Sequence, residues 1–137
     1  VAESCTGGLI GQLFTATPGS SKYFVGGVIA YSNDLKRNLL GVADKTLAEA
    51  GAVSEATVIE MADGARARTG ATWALAVSGI AGPDGGTPEK PVGTVFVALT
   101  RDGVREVRKL YWPAERELVR QLSAHAALHL LFKQLQR

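Results

Sequence analysis

The chain is poor in the residues that most readily carry chemistry. One cysteine occurs in 137 residues, which excludes an internal disulfide framework and fits a reducing, cytoplasmic setting. Only two histidines are present, His125 and His129. Both fall in the last predicted helix beside Leu118, Leu122 and Phe132, facing core or interface, with no Cys or carboxylate at useful ligand spacing. Neither a metal site nor a His-based triad is expected, and no cofactor. Basic runs are also missing. The formal net charge is only +2 and the charges are scattered, so direct nucleic-acid contact is not expected. No apolar stretch approaches the length of a membrane span, and no secretory leader is read.

What remains is a core-forming composition. With 46% hydrophobic and 20% charged residues, the chain reads as one folded domain over residues 1–137. It begins without Met, at what looks like the end of a strand. The opening strand is therefore expected to be incomplete, with more chain upstream.

Hydrophobic periodicity gives the elements. Val1 and Ala2 close a strand, and Thr6 to Ala16 reads as a helix with Leu9, Ile10, Leu13 and Phe14 on one face. Thr17 to Ser21 is a loop, and Tyr23 to Tyr31 a strand candidate interrupted by Gly26-Gly27. A short helix spans Asn33 to Leu40 and stops at Gly41, and another runs from Asp44 to Ala50. Ser54 caps the clearest helix, which reaches Arg68. Trp73 to Val77 is an apolar strand leading into a glycine-rich loop. Val92 to Thr100 and Val104 to Tyr111 form a hairpin around Arg101-Asp102-Gly103, and Glu115 to Gln134 is the closing helix. The alternating polarity of Val104 to Tyr111 marks an edge strand. The pattern predicts an α/β fold: a three-layer α/β/α sandwich with a mainly parallel, mixed sheet and one late antiparallel hairpin. Ligands of such sheets bind beyond the carboxyl ends of the strands, where Ser4, Tyr31 and Ser78 would meet.

Ser4-Cys5-Thr6-Gly7-Gly8 is the segment richest in chemistry. A small-residue turn at a helix start favours anions, and it can also hold a nucleophile with the N–H donors for its oxyanion. Without a histidine base, a Ser–Lys site is the alternative, and Lys36, just past Tyr31, is its best candidate. Each residue also has a plainer reading. Lys36 can be an ordinary solvated lysine beside Arg37, Tyr31 a strand-end packing residue, and Cys5 a small buried side chain rather than a nucleophile. Thr6 is most simply the helix cap. Glu3 is either a ligand-orienting carboxylate or a surface charge. The loop Gly79 to Gly86 either approaches a ligand closely or is a structural crossover.

Six segments in order carry a resemblance: Ala2-Glu3-Ser4-Cys5-Thr6-Gly7-Gly8, Pro18-Gly19-Ser20-Ser21, Tyr31-Ser32-Asn33 with Lys36, Gly51-Ala52-Val53-Ser54, Ser78 through Gly86, and Lys90-Pro91-Val92-Gly93-Thr94-Val95. Together they closely resemble the C-terminal domain of the competence/damage-inducible protein family CinA, a domain that also occurs alone as nicotinamide-nucleotide (NMN) amidase. The resemblance covers nearly the whole chain. It implies an amidohydrolase that converts nicotinamide mononucleotide to nicotinic acid mononucleotide and ammonia, with that mononucleotide as the small-molecule partner. It further implies Ser4 as nucleophile, Lys36 as general base and Tyr31 as its partner. Ser78 stands where many members have Thr, and would position substrate or donate to the oxyanion. Substrate contacts are expected from Thr6, Gly7, Gly8, Ser78, Gly79 and Gly82, and from Arg116 or its rival Arg120, either of which can pair with a phosphate. The oxyanion would rest on backbone N–H groups near Gly7 and Gly8. The family's N-terminal molybdopterin-binding-like module has no counterpart in this stretch. Two other readings stand beside the enzyme: a non-catalytic nucleotide-binding module, and an interaction protein of DNA uptake or repair. A homodimer through the apolar closing helix and the polar hairpin edge is also expected.

Overall fold

The computed structural model describes all residues from Val1 to Arg137. Five strands form one sheet in the order β2-β1-β3-β4-β5: β1 (Ala2–Glu3), β2 (Val28–Ile29), β3 (Ala74–Gly79), β4 (Thr94–Arg101) and β5 (Val104–Tyr111). β1 runs parallel to both β2 and β3. β3 and β4 pair antiparallel, as do β4 and β5. The sheet is thus mixed as predicted. Its antiparallel part is larger than one hairpin, because the glycine-rich loop after β3 turns the chain straight back into β4 instead of crossing over.

The alternation of side chains along β3 and β4 builds two cores. On one face Ala74, Ala76, Phe96 and Ala98 pack with Val58, Met61, Ala62 and Ala65 of α4 (Glu55–Thr69) and with Leu40 of α2 (Asn33–Leu40). On the other face Leu75, Val77, Val95, Val97 and Leu99 pack with Ile10 of α1 (Leu9–Thr15) and with Val119, Ala124, Ala127 and Leu130 of α5 (Arg116–Leu135). The short α3 (Asp44–Glu49) leans on α4. This is the expected three-layer sandwich. No helix is long and apolar enough to cross a membrane.

Local chemistry places most helix ends where the sequence predicts them. The Ser32 side chain accepts from the Leu35 N–H and starts α2, and Gly41 ends it in the left-handed region at φ 70°. Ser54 caps α4 in the same way by accepting from the Thr57 N–H. α1 differs. It begins at Leu9 rather than Thr6, because Gly7 and Gly8 take φ values of 60° and 106°. Strand β2 is only two residues long, because its neighbour β1 offers only two residues to pair with.

Candidate active site

β1, β2 and β3 are parallel, so their carboxyl ends open on the same side of the sheet. Ser4 follows β1 directly. Its N–H donates to the Val77 carbonyl of β3 at 3.0 Å, and the Ala30 N–H donates to the neighbouring Glu3 carbonyl at 2.8 Å. The backbone at Ser4 is therefore anchored to a strand on each side. The Gly7 N–H closes a β-turn onto the Ser4 carbonyl at 3.0 Å.

Lys36 reaches this turn from the first turns of α2. Its Nζ lies 2.9 Å from Ser4 Oγ, 2.9 Å from the Ala30 carbonyl oxygen and 3.0 Å from that of Tyr31. The side chain is 1% exposed and no carboxylate pairs with it. Burial therefore pushes its pKa below the usual 10.5, an effect partly opposed by the adjacent Cys5 sulfur. The geometry suits a neutral amine. Nζ donates to the two carbonyls and to Ser4 Oγ; once it has lost a proton, its lone pair would face the Ser4 hydroxyl. Cys5 is the opposite case: burial raises its thiol pKa to about 11, so at neutral pH it is protonated and a poor nucleophile.

Ser4, Lys36, Tyr31, Ser78, Gly79 and Arg116 line one cavity of about 200 Å³, together with Cys5, Asn33, Ala52, Val53 and Ala81. Ser78 Oγ donates to the Ala52 carbonyl at 2.7 Å, so its proton is committed to the cavity wall. The Tyr31 phenol is turned to the mouth, where its hydroxyl accepts from Arg116 Nη2 at 3.1 Å. Arg116 Nη1 donates to the Gly82 carbonyl at 2.8 Å, which ties the glycine-rich loop to the start of α5.

The other expected contact residues stand behind the cavity. Arg120 is a brace: Nε and Nη2 donate to the carbonyls of Cys5 and Thr6 at 3.2 and 3.1 Å. Thr6 is fully buried and is not the helix cap. Its hydroxyl donates to Glu3 Oε2 at 2.6 Å. The Gly8 N–H donates to the same oxygen at 3.0 Å. The N–H groups of Gly7 and Gly8 are thus both engaged. Those of Cys5 and Thr6, next after Ser4, donate to no acceptor within the chain. Gly82 has φ 87°, and a Cβ there would meet Val92 at 2.5 Å, so its glycine serves packing and turn geometry.

Glu3 is the functional neighbour that sequence reasoning left open. It is neither a surface charge nor turned to a ligand. Buried at 1% exposure, its carboxylate accepts from the N–H groups of Gly8, Ile10 and Gly11 at 2.8–3.1 Å and so caps α1. An acidic residue just before a small-residue turn and a helix was the available signal. Lys90 was also missed. It donates to the Ala50 carbonyl at 2.7 Å and steadies the segment that carries Ala52 and Val53. A larger cleft of about 830 Å³ lies at the opposite end of the sheet, by Asp63, Arg66, Arg101 and Asp102. Ion pairs Arg105–Asp63 and Arg66–Asp102 lace it. His125 and His129 are both exposed on α5.

Residues 1–135 match the model of the CinA C-terminal domain. The chain belongs to this family. As a CinA-family chain it is 48% identical over 137 residues to a CinA-like protein of Leptospira interrogans, with 99% of the chain and 33% of that protein covered. It is 53% identical over 138 residues to one from a Synechococcus strain, with 98% of the chain and 32% of that protein covered. The CinA-family chain thus spans about a third of the length of these relatives. Among solved structures, the competence/damage-inducible protein of Agrobacterium tumefaciens superposes with TM-score 0.94 at 44% identity, covering 96% of this chain and 81% of that one. The competence damage-inducible protein A of Klebsiella pneumoniae gives 0.95 at 40% identity, covering 99% and 84%.

Proposed function

We propose that this CinA-family chain is an amidohydrolase that cleaves the carboxamide of nicotinamide mononucleotide to the carboxylate and ammonia. The observation that carries the reading is the 2.9 Å contact between Ser4 Oγ and the buried Lys36 Nζ. Lys36, neutral, takes the Ser4 proton as Oγ attacks the carboxamide carbon. The oxyanion develops toward the N–H of Cys5, which lines the cavity and has no partner in the chain. Preorganised donors of this kind are each worth ~3–4 kcal/mol. Protonated Lys36 then delivers its proton to the departing nitrogen as the C–N bond breaks, leaving an ester on Ser4. A water molecule, deprotonated by Lys36, resolves the ester and restores the hydroxyl.

The size of the cavity favours this division of the substrate. At about 200 Å³ it is smaller than the ~300–1,000 Å³ typical of sites that enclose a whole small molecule. It takes the aromatic carboxamide end, and the ribose phosphate extends to the mouth. There Arg116 exchanges its Tyr31 hydroxyl for phosphate oxygens. In this reading Tyr31 acts on Lys36 through its backbone carbonyl, and its phenol shapes the mouth.

Ammonia release from nicotinamide mononucleotide by the purified chain, beside Ser4→Ala, tests the assignment. Release by the wild type that is absent from the variant is expected. A folded wild-type sample that binds the mononucleotide without releasing ammonia would replace the enzyme with a nucleotide-binding module.

A further inference from the structure

Among the polar side chains that line the catalytic cavity, one is idle. Ser4 Oγ meets Lys36 Nζ, Ser78 Oγ donates to the Ala52 carbonyl, and the Tyr31 hydroxyl meets Arg116 at the mouth. Asn33 lines the same cavity, and its side-chain amide makes no hydrogen bond within the chain. Its place is set by α2. Asn33 is the first residue of that helix, directly after Ser32, whose side chain caps it, so the backbone that carries the amide is fixed. Lys36 follows three residues later, and helix residues three apart are neighbours on one face, with Cβ atoms ~5–6 Å apart. The Asn33 amide and the Lys36 amine therefore reach the cavity side by side from one helix, while Ser4 comes from the end of β1. Of the two side chains that α2 sends to the cavity, Asn33 alone carries an acceptor. The neighbouring wall residues Ala52, Val53 and Ala81 offer only apolar side chains.

We propose that Asn33 selects the functional group the site cleaves: its Oδ1 accepts an N–H of the scissile carboxamide, so that primary carboxamides are taken in preference to esters of the same acid. This selection rests on the amidase reading and adds the substrate class to it. A carboxamide presents one acceptor oxygen and two N–H donors. Its oxygen turns to the Cys5 N–H, and its nitrogen then needs an acceptor on the side from which Lys36 works. Asn33 supplies that acceptor and so positions the leaving group. With one N–H held by Asn33, the nitrogen stands beside Lys36 on the same helix face. Once Ser4 Oγ has bonded to the carbon, the nitrogen lone pair takes a proton from Lys36, the C–N bond breaks, and ammonia departs with its two original hydrogens and that third one. An ester oxygen has no hydrogen to offer and sets a lone pair against Oδ1, and a polar group left facing no partner weakens binding.

The test gives each protein two substrates and follows ammonia from nicotinamide mononucleotide and methanol from the methyl ester of nicotinic acid mononucleotide. The ratio of the two kcat/KM values isolates the group that differs. Asn33→Ala is expected to lower the amide-to-ester ratio about tenfold, the scale of one lost hydrogen bond. Asn33→Asp can only accept and suits the first turn of a helix. It is expected to hold the ratio at or above the wild-type value, although both rates change with a carboxylate beside Lys36. Asn33 packs in neither core, so both variants are expected to fold, which circular dichroism checks. A residue that merely held α2 in place would move both substrates together and leave the ratio fixed. An unchanged ratio in Asn33→Ala beside an active wild type therefore overturns the proposal and leaves the amidase reading standing. A ratio that falls equally in Asn33→Asp does the same. A wild type that releases no ammonia, whether or not it cleaves the ester, removes the amidase reading and the selection with it.

Discussion

At the scale of single residues, the site depends on a lysine held where a lysine is costly. Lys36 is enclosed, has only neutral oxygen partners, and its pKa is lowered by burial. kcat/KM for amide cleavage is expected to rise with pH as Lys36 loses its proton, with an inflection below the ordinary lysine value of 10.5. Lys36→Arg keeps a cation there at every pH and should lose ~10³-fold in kcat without recovering at alkaline pH. A flat wild-type profile, or an active Lys36→Arg, would remove Lys36 as the base. The same shift has a stability consequence. Between the lowered folded pKa and 10.5 the unfolded chain binds the proton that the folded chain has given up, so this group makes stability rise with pH across that window. Below the window the full cost of the buried cation applies. Denaturation midpoints of the wild type against Lys36→Met, followed over pH, isolate that slope. Cys5, next to Ser4, shows how one turn separates two roles. Its thiol, at about 11, stays protonated, while the neighbouring Ser4 hydroxyl lies 2.9 Å from Lys36 Nζ.

At the scale of elements, Lys36 is only as well placed as α2, and α2 is placed by its crossing with α4. Gly64 sits at that crossing with its backbone against Leu40: a Cβ there would stand 1.8 Å from the Leu40 carbonyl oxygen. Gly64 is inside a regular helix, so its value is close approach and not an unusual φ. Gly64→Ala gains helix propensity yet should cost about 3 kcal/mol or more, because backbone cannot yield as a side chain can. Thermal unfolding by circular dichroism measures the loss. A variant as stable as the wild type would show that α2 can move away freely. Nothing local in the sequence announces this contact, and the helix reads as an ordinary amphipathic one. What was legible follows the same division. α2 and α4 were readable because Gly41 and Ser54 act within one turn of themselves. Ser4, Lys36 and Tyr31 could be named as candidates from strand ends followed by suitable side chains, but plainer readings stood beside them and only the family resemblance joined them into one set. The true length of β2, the return of β4 antiparallel to β3 and the capping of α1 by Glu3 all depend on partners far along the chain or in space. The same holds for the backbone N–H groups of the turn that follows Ser4. Gly7 and Gly8 stand out as glycines, but their N–H groups are used internally.

At the scale of the whole molecule, the two cores share a single wall. Neighbouring residues of β3 point in opposite directions, Ala76 into the α2/α4 side and Val77 into the α1/α5 side, so neither core can lose its strand without the other. Both tryptophans report on only one of them: Trp73 and Trp112 pack against the α1/α5 core. Met61, fully buried, belongs to the other. Met61→Ala should cost roughly 2–5 kcal/mol through lost contacts and the cavity left behind. If the sheet couples the two sides, tryptophan fluorescence must register that loss in full, although neither indole packs in the core that Met61 occupies. The expected outcome is one transition, with the fluorescence and far-ultraviolet dichroism midpoints displaced together and by the same amount. A dichroism midpoint that moves while the fluorescence midpoint holds would mean that the α1/α5 half unfolds on its own. In that event the Ser4 turn, which rests on that half, would be separable from Lys36, which rests on the other. The 2.9 Å contact between them therefore needs both halves in place, and the site is expected to vanish in the same transition as the fold.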